Sequence, residues 1–142
     1  PLLGGDLPER LRGQKSVDLA YEAGPIGRFR VNVFEEARGV SAVFRHIPAR
    51  IFTPAEILLP EVVCRLARLQ SGLVLLTGTA GSGKSTTLTT LIDLINASRA
   101  GHIITIEDPI EVLHENKRCI VSQREVGPNV PSFAAALKSA LR

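Results

Sequence analysis

The segment that decides the fold runs from Gly72 to Ser85 and reads Gly-Leu-Val-Leu-Leu-Thr-Gly-Thr-Ala-Gly-Ser-Gly-Lys-Ser. Its apolar run Leu73–Leu76 predicts a strand covered on both faces, as in a parallel sheet. The eight residues that follow, Gly78–Ser85, match the pattern G-x-x-x-x-G-K-[ST]. Residues 85–98 then place apolar side chains at i, i+3, i+4 and i+7, which predicts an amphipathic helix. A strand, a glycine-rich loop and a helix in this order indicate a phosphate-binding loop.

Each residue type in this loop has a chemical reason. Glycines allow backbone conformations that direct several N–H groups at one spot, where they bind phosphate oxygens, and the helix N-terminus adds partial positive charge. Lys84 reaches the β- and γ-phosphates, and the Ser85 hydroxyl is a ligand for Mg²⁺. A glycine-rich turn with an incidental lysine is the alternative. The sequence predicts a site for ATP and Mg²⁺ formed by Gly78, Thr79, Ala80, Gly81, Ser82, Gly83, Lys84, Ser85 and Thr86.

Carboxylates follow the second apolar strand of this region. Ile103–Ile106 is an apolar run, and Glu107, Asp108 and Glu111 come directly after it. Because ligands of parallel sheets gather beyond the carboxyl ends of the strands, we expect these carboxylates near the metal and the attacking water. A solvated acidic turn is the alternative, above all for Asp108, since Asp before Pro is common in turns.

The histidines and cysteines carry weaker signals. His46, His102 and His114 share no metal-ligand spacing, so a structural role is expected for each. His114, three residues after Glu111, is the most plausible exception. Cys64 and Cys119 are too few for a disulfide framework and are expected to be small buried hydrophobic residues.

The first third of the chain predicts a β-hairpin. Arg28 and Arg30 alternate with three apolar residues, which gives a strand with an apolar face and an arginine-bearing face. The apolar residues are Phe29, Val31 and Val33. A turn over residues 35–39 leads to a second strand, Val40–Ile47, and together the strands look like the end of a small domain. Residues 1–27 are weakly patterned, with turns at Gly4-Gly5 and at residues 25–27.

The remaining elements are set by capping and turn residues. Pro48–Pro54 predicts a linker, and Thr53 begins a Thr-Pro-Ala-Glu sequence that is typical of a helix start. Pro60 opens a further helical segment. Cys119–Val121 predicts a third strand, and Ser132 caps a final helix whose apolar face carries Phe133, Ala136, Leu137, Ala140 and Leu141. The strand–helix–strand order favours a parallel α/β sheet.

Composition excludes several classes. The chain has 142 residues, 44% of them hydrophobic and 22% charged, which is enough to build a packed core. Its net charge of +3 comes from 17 basic and 14 acidic residues without a basic stripe, so nucleic acid is not an expected partner. No apolar run approaches the roughly 20 residues that span a bilayer, and no secretory signal is visible. With Met absent and Pro1 first, we expect a piece of a longer protein.

Three stretches together resemble the secretion-motor ATPases. They are Thr77–Thr87 (Thr-Gly-Thr-Ala-Gly-Ser-Gly-Lys-Ser-Thr-Thr), Ile104–Glu111 (Ile-Thr-Ile-Glu-Asp-Pro-Ile-Glu) and Ser122–Val126 (Ser-Gln-Arg-Glu-Val). Within that family, which also includes the GspE-related secretion ATPases, the chain most resembles the pilus-retraction motors of the PilT/PilU type. The upstream stretches Arg28–Phe34 and Ala42–Pro48 fit the same type, so the resemblance covers residues 24–142.

This resemblance implies a domain division and a fold. Residues 1–47 would be the C-terminal part of a PAS-like α+β N-terminal domain, and residues 48–55 a linker. Residues 56–142 would be the N-terminal half of a RecA-like P-loop ATPase domain with a parallel sheet. The family continues beyond this point into a Walker B strand and a His box, so the resemblance implies half a catalytic site, incomplete as a catalyst.

The resemblance also implies roles and partners. Glu111, with Glu107, would orient or deprotonate the attacking water, in competition with a Walker B glutamate beyond residue 142. The N-terminal domain would supply arginines to the triphosphate, with Arg28, Arg30 and Arg45 as candidates. The protein would be a homohexameric, cytoplasmic motor that retracts type IV pili for twitching motility, bound at the inner membrane to a pilus platform protein.

The residues alone leave four other functions open. A motor of the pilus-assembly or type II secretion branch shares the loop and the acidic segment. A RecA-like nucleic-acid-dependent ATPase would need stimulation by DNA, which the mixed charge and the few aromatic residues, five Phe and one Tyr, disfavour. A P-loop kinase for a small molecule would need a phosphate acceptor and a lid. A subunit that binds nucleotide without hydrolysing it is compatible with the motor reading.

Overall fold

The structure is a computed structural model of the 142-residue chain and describes residues 7–47 and 50–141. The expected turn at Gly4-Gly5, the first two residues of the expected linker and Arg142 lie outside the described residues. The helices are α1 (Leu7–Gln14), α2 (Glu61–Cys64), α3 (Lys84–Ser98) and α4 (Phe133–Ala140). The strands are β1 (Ser16–Glu22), β2 (Arg28–Glu36), β3 (Gly39–Ile47), β4 (Gly101–Glu107) and β5 (Cys119–Glu125). Short 3₁₀ turns occupy Gly24–Ile26 and Arg65–Arg68.

The first three strands form an antiparallel sheet in the order β1-β2-β3. The hairpin of β2 and β3 was predicted, but α1 and β1 were not. Val17 on β1 and Val31 and Val33 on β2 are buried against Leu11 of α1, and they form the core of this part of the chain. Because side chains alternate across a strand, the arginines of β2 lie on the opposite face from this core.

The segment between the two sheets contains one turn where a helix was predicted. Its capping interactions do form, because the Thr53 backbone N–H donates to Glu56 Oε2 at 2.8 Å. The turn stops after one cycle, since Leu58 adopts a positive φ of 51° and the Leu59 N–H reaches back to Pro54 O at 2.8 Å. This is the hydrogen-bond pattern that ends helices. The predicted helix start at Thr53 is therefore wrong beyond its cap, whereas the helical segment after Pro60 is present as α2.

The second half of the chain is built on a parallel strand pair. Strands β4 and β5 pair in parallel from Gly101 opposite Cys119 to Glu107 opposite Glu125, and α3 precedes them along the chain. Helix α4 begins at the predicted cap, where Ser132 Oγ accepts a hydrogen bond from the Ala135 N–H at 3.2 Å. Ala136 is the buried member of its predicted apolar face. The predicted α/β class with a parallel sheet is confirmed.

A buried asparagine ties α3 to the loop that leads into β5. Asn96 is fully buried, and its Nδ2 donates to Glu115 O at 2.7 Å. Its Oδ1 accepts from the backbone N–H groups of Lys117 at 3.1 Å and Cys119 at 3.3 Å. Every polar atom of this side chain has a partner, as burial requires. Asn96 therefore fixes the position at which β5 starts relative to α3.

The apolar run before the glycine-rich loop differs from its prediction. A covered strand was expected over Leu73–Leu76, but the segment forms no ladder with any strand in the described ranges 7–47 and 50–141. Leu73 and Leu75 are 82% and 74% exposed. Two-sided burial of a strand comes from neighbouring strands and helices, so an apolar run without such neighbours stays exposed. Over the same described residues, no helix is long and apolar enough to cross a membrane.

Candidate functional site

The glycine-rich loop has the backbone that its sequence predicts. Gly78, Gly81 and Gly83 all have positive φ angles, and Gly83 sits immediately before α3 in the left-handed region with φ of 86°. A Cβ on Gly78 would lie 2.8 Å from Ser82 Oγ, so a larger residue would displace that side chain. Helix α3 begins at Lys84, which places its N-terminal N–H groups next to the loop. The loop therefore has the conformation and the helix dipole that bind phosphate.

The charged group of this loop is held against its own backbone. Lys84 Nζ donates to the carbonyl oxygen of Thr79 at 2.6 Å. Ser85, the next residue, exposes its side chain at the first turn of α3. This bond links the Lys84 side chain to a backbone group five residues earlier in the loop. The cation and the hydroxyl are thus both at the helix N-terminus, where a triphosphate and its metal are held in P-loop proteins.

The acidic segment, residues 107–114 from the last residue of β4 onward, is held by side chains of β5. Gln123 Nε2 donates to Glu107 Oε1 at 3.0 Å and to Val112 O at 2.8 Å, while its Oε1 accepts from the His114 N–H at 2.7 Å. Thr105 Oγ1 gives Glu107 Oε1 a second hydrogen bond at 2.6 Å. Glu107 and the backbone of Val112 and His114 are therefore tied to the sheet, whereas Asp108 is exposed.

A second side chain of β5 holds the middle of the same segment. Glu125 Oε2 accepts a hydrogen bond from the buried Ile110 N–H at 3.0 Å. The Asp108–Pro109 peptide bond at the start of the segment is cis. Gln123 and Glu125 are two residues apart on β5 and therefore point to the same side of the strand. The sequence pattern assigns these two residues no contacts of their own, and the structure gives them defined partners.

One cavity brings the loop and the acidic segment together. A cavity of about 430 Å³ is lined by Ser85 of α3 and by Glu107, Asp108, Glu111 and His114 of the acidic segment. Apolar side chains of α3 and β4 complete its wall: Leu88, Ile92, Ile104 and Ile106. Of the predicted loop residues, Ser85 alone lines this cavity together with Glu107, Asp108 and Glu111. Ser85 and Glu111 also line a smaller neighbouring cavity of about 50 Å³.

His114 differs from the other two histidines. His46 packs edge-on against the Phe29 ring and His102 hydrogen-bonds Ser122 Oγ at 2.9 Å, whereas Nδ1 of His114 is buried and without a partner among the described residues. Burial lowers the pKa of His114, against the nearby carboxylates of Asp93 and Glu107, which raise it. Burial therefore favours the neutral form of this imidazole at the edge of the cavity.

The donor set at the cavity suits a magnesium ion that is bound together with phosphates. Among the described residues, no group of three or more His, Cys, Asp and Glu side chains is arranged to hold a metal by itself. Mg²⁺ is typically held by one or two protein oxygens, by waters and by the phosphates of its substrate. The exposed Ser85 hydroxyl, with carboxylates across the same cavity, fits that mode of binding.

The three candidate arginines lie apart from this cavity. Arg28 Nη2 is 3.8 Å from Glu125 Oε2, so this guanidinium reaches β5 but is engaged there by a carboxylate. Arg30 and Arg45 are cross-strand partners on β2 and β3 and line a separate cavity of about 310 Å³ with Asp18. Arg30 Nε lies 3.5 Å from Asp18 Oδ1. The predicted arginine-bearing face exists, but the described fold does not bring it to Ser85.

Comparison with known proteins places the chain in a family. Residues 24–142 match the family described as "Type II/IV secretion system protein". The chain belongs to this family. It is 50% identical over 125 residues to the "Type IV pilus retractation ATPase PilT" of Pseudomonas aeruginosa, and this match covers 88% of the chain and 36% of that protein. It is also 47% identical over 126 residues to a "Twitching motility protein" of Neisseria gonorrhoeae, with 89% and 34% covered.

A solved structure of the type II/IV secretion system family has the same fold. The chain superposes on the crystal structure of "the Pilus Retraction Motor PilT and Bound ADP" with a TM-score of 0.94 and 44% identity. The match covers 99% of this chain and 41% of that chain. The chain thus spans about a third of the length of the curated relatives named above. The resemblance to motors of the PilT/PilU type is confirmed by these matches.

Proposed function

We propose that the chain supplies the nucleotide-binding part of an ATPase motor that powers the retraction of type IV pili. The observation that carries this proposal is the cavity shared by the helix that follows the glycine-rich loop and by the acidic segment, which Ser85, Glu107 and Glu111 all line. The named activities of the matched relatives, pilus retraction and twitching motility, support the same function. They support it better than pilus assembly or nucleic-acid-dependent hydrolysis.

The proposed chemistry follows from positioning and charge. The amides of Gly78–Gly83 and the Lys84 ammonium hold the β- and γ-phosphates, and Ser85 and Thr86 complete the loop site. The Ser85 hydroxyl would hold Mg²⁺, which when bound would neutralise charge at the phosphate oxygens. Glu111, with Glu107, orients the attacking water and accepts its proton. A Walker B glutamate outside residues 1–142 is proposed to share that role.

The proposed assembly is a homohexamer on the cytoplasmic side of the inner membrane, where a pilus platform protein would receive the motion. In it, residues 1–47 form the end of a PAS-like domain, residues 48–55 a linker, and residues 56–142 half of a RecA-like domain. Arg28, Arg30 and Arg45 would meet a triphosphate once the antiparallel sheet moves toward it. An arginine recruited in this way makes hydrolysis depend on the position of one domain against another.

The loop lysine provides the direct test. In the whole protein that carries this chain, Lys84→Ala removes the charge that meets the phosphates. Charged hydrogen bonds contribute about 1.5–3 kcal/mol, so ATP affinity should fall about 10–100-fold. Hydrolysis should fall to background. Lys138→Ala, on the exposed side of α4, is the matched control and should behave as the parent. Parental turnover in Lys84→Ala would refute the assignment of the loop.

A further inference from the structure

We propose that Gln123 is a positioning residue for hydrolysis, which sets Glu107 and the Glu111 segment relative to the phosphate-binding loop. This inference rests on the proposed ATPase function. Gln123 lies on β5 and does not line the 430 Å³ cavity that Ser85, Glu107 and Glu111 share. It therefore acts through the residues that do.

The hydrogen bonds of Gln123 fix the orientation of its amide. One neighbour, the Val112 carbonyl oxygen, accepts only, and a second, the His114 N–H, donates only. Nε2 must therefore face Val112 and Glu107, and Oε1 must face His114. All three bonds are between 2.7 and 3.0 Å long. A single side chain thus clamps a carboxylate at the start of the acidic segment and two backbone groups beyond its middle.

The strand register explains why this position is suited to the task. Gln123 pairs with Thr105 across the parallel ladder, and Thr105 Oγ1 donates to the same Glu107 oxygen that Gln123 contacts. The two donors hold Glu107 Oε1 from neighbouring strands. Glu111 lies between Glu107 and Val112 along the chain, so the segment that carries it is tethered on both sides. Glu125 adds a tether at Ile110.

The donor character of Gln123 can be separated from its shape. Gln123→Glu keeps the size and the acceptor for the His114 N–H, but it points a carboxylate oxygen at Glu107 and at Val112 O. Gln123→Leu removes all three hydrogen bonds without adding charge. If the residue only filled space, the isosteric Gln123→Glu would be the milder change. If its amide positions Glu107, Gln123→Glu would be the more severe, because two like charges and two facing oxygens repel.

The experiment measures steady-state ATP hydrolysis of the whole protein with Gln123→Glu, Gln123→Leu and the control Ser122→Ala. Ser122 is adjacent on β5, and within the described part of the chain its hydroxyl hydrogen-bonds His102 Nε2 at 2.9 Å. We expect kcat to fall about 10–100-fold in the Gln123 variants with KM for ATP nearly unchanged, since a misplacement near 1 Å has such an effect. Gln123→Glu should have the lower kcat, and the control should match the parent.

Amide hydrogen exchange over residues 107–114 gives a readout that does not depend on hydrolysis. Exchange should be faster in both Gln123 variants than in the control, because the His114 N–H loses its acceptor or the segment is pushed away. If the parent itself does not hydrolyse ATP, the proposed function fails, and the exchange rates alone decide whether Gln123 holds the segment. A raised KM with unchanged kcat, a milder effect of Gln123→Glu than of Gln123→Leu, unchanged exchange, or loss of folding in both variants would each overturn the proposal.

Discussion

Arg28 of the antiparallel sheet and Glu125 of the parallel sheet form an ion pair, with Arg28 Nη2 3.8 Å from Glu125 Oε2. Both side chains are largely buried, at 18% and 12% exposure. Glu125 also holds the Ile110 N–H, so one carboxylate joins the small sheet to the segment that carries Glu107 and Glu111. A displacement of the small sheet that breaks this pair would therefore change how Glu125 holds the acidic segment.

The first prediction concerns the arginine-bearing face. In the whole protein, Arg28→Ala, Arg30→Ala and Arg45→Ala are each expected to lower turnover while the assembly stays intact. An arginine that neutralises transition-state charge contributes about 10³–10⁵ in rate in other P-loop enzymes. Arg28→Ala should also lower the free energy of unfolding by about 1–3 kcal/mol, between the values for surface and buried ion pairs.

The measurements for these variants are turnover, ATP affinity and oligomeric state taken together. Arg38→Ala, in the exposed turn between β2 and β3, is the control and should change none of them. Normal hydrolysis by all three variants would show that the nucleotide site is confined to the second half of the chain. Loss of assembly alone would mark this face as a subunit contact.

The second prediction separates the carboxylates at the cavity. Glu111→Gln keeps the size of the side chain and removes its basicity, so kcat should fall while ATP affinity stays nearly constant. Glu107→Gln should act in the same direction, and the double variant shows whether the two act as a unit. Glu115→Gln, an exposed residue of the following loop, is the matched control. Unchanged turnover in Glu111→Gln would show that another residue acts as the base.

The third prediction concerns the buried asparagine that positions β5. Asn96→Ala leaves the Glu115 carbonyl and two backbone N–H groups without their partner, and the free energy of unfolding should fall by about 2–4 kcal/mol. Urea unfolding measures this change. Asn116→Ala is the control. Asn116 is exposed in the loop that leads into β5, and its Oδ1 accepts one hydrogen bond, from the Val121 N–H. The control should lower the free energy of unfolding by about 1 kcal/mol or less.

The fourth prediction is a pH dependence that originates at His114. Burial lowers the pKa of this imidazole, with Asp93 and Glu107 opposing and Lys117 reinforcing the shift. Below about pH 6.5, the ordinary histidine value, the unfolded chain binds a proton that the folded chain does not. The free energy of unfolding contributed by His114 is therefore present above that pH and decreases as the pH falls toward the lowered pKa of the folded state.

His114→Phe removes this pH dependence and keeps an aromatic ring at the position. Urea unfolding at pH 7.5 and at pH 5.5 should show a larger decrease in stability for the parent than for the variant. The comparison at pH 7.5 serves as the reference, because the imidazole is neutral in both the folded and the unfolded chain there. Equal decreases in the two proteins would mean that His114 titrates normally.

The parts of the fold that were predictable have local signals. The glycine-rich loop, α3, β4 and the cap of α4 each carry their own periodicity or capping residue, and all are present. Strand β1 was missed although Val17, Leu19 and Tyr21 alternate with polar or small residues, which is the period of a half-buried strand. The turn at Thr53 shows the limit of a local signal, since its cap formed and the residues after it ended the helix.

The parts that were not predictable depend on distant partners. Asn96 and Gln123 are polar residues whose roles come from backbone groups 9 to 23 residues away. The residues adjacent to them in sequence do not indicate those partners. The cavity was anticipated only as an approach of Glu107 and Glu111 to the loop, because parallel strands bring their carboxyl ends together. The hydrogen bonds by which Gln123 holds Glu107 could not be predicted, because they depend on the register of β4 against β5.

The exposed apolar run before the glycine-rich loop has a consequence for the behaviour of this chain in solution. Leu73, Val74 and Leu75 are 82%, 45% and 74% exposed, and no strand lies beside them in the described residues. An unpaired apolar backbone segment is a template on which a second chain can add a strand. Residues 1–142 alone should therefore self-associate as their concentration rises. A charged substitution in this run is the first change that should reduce the association.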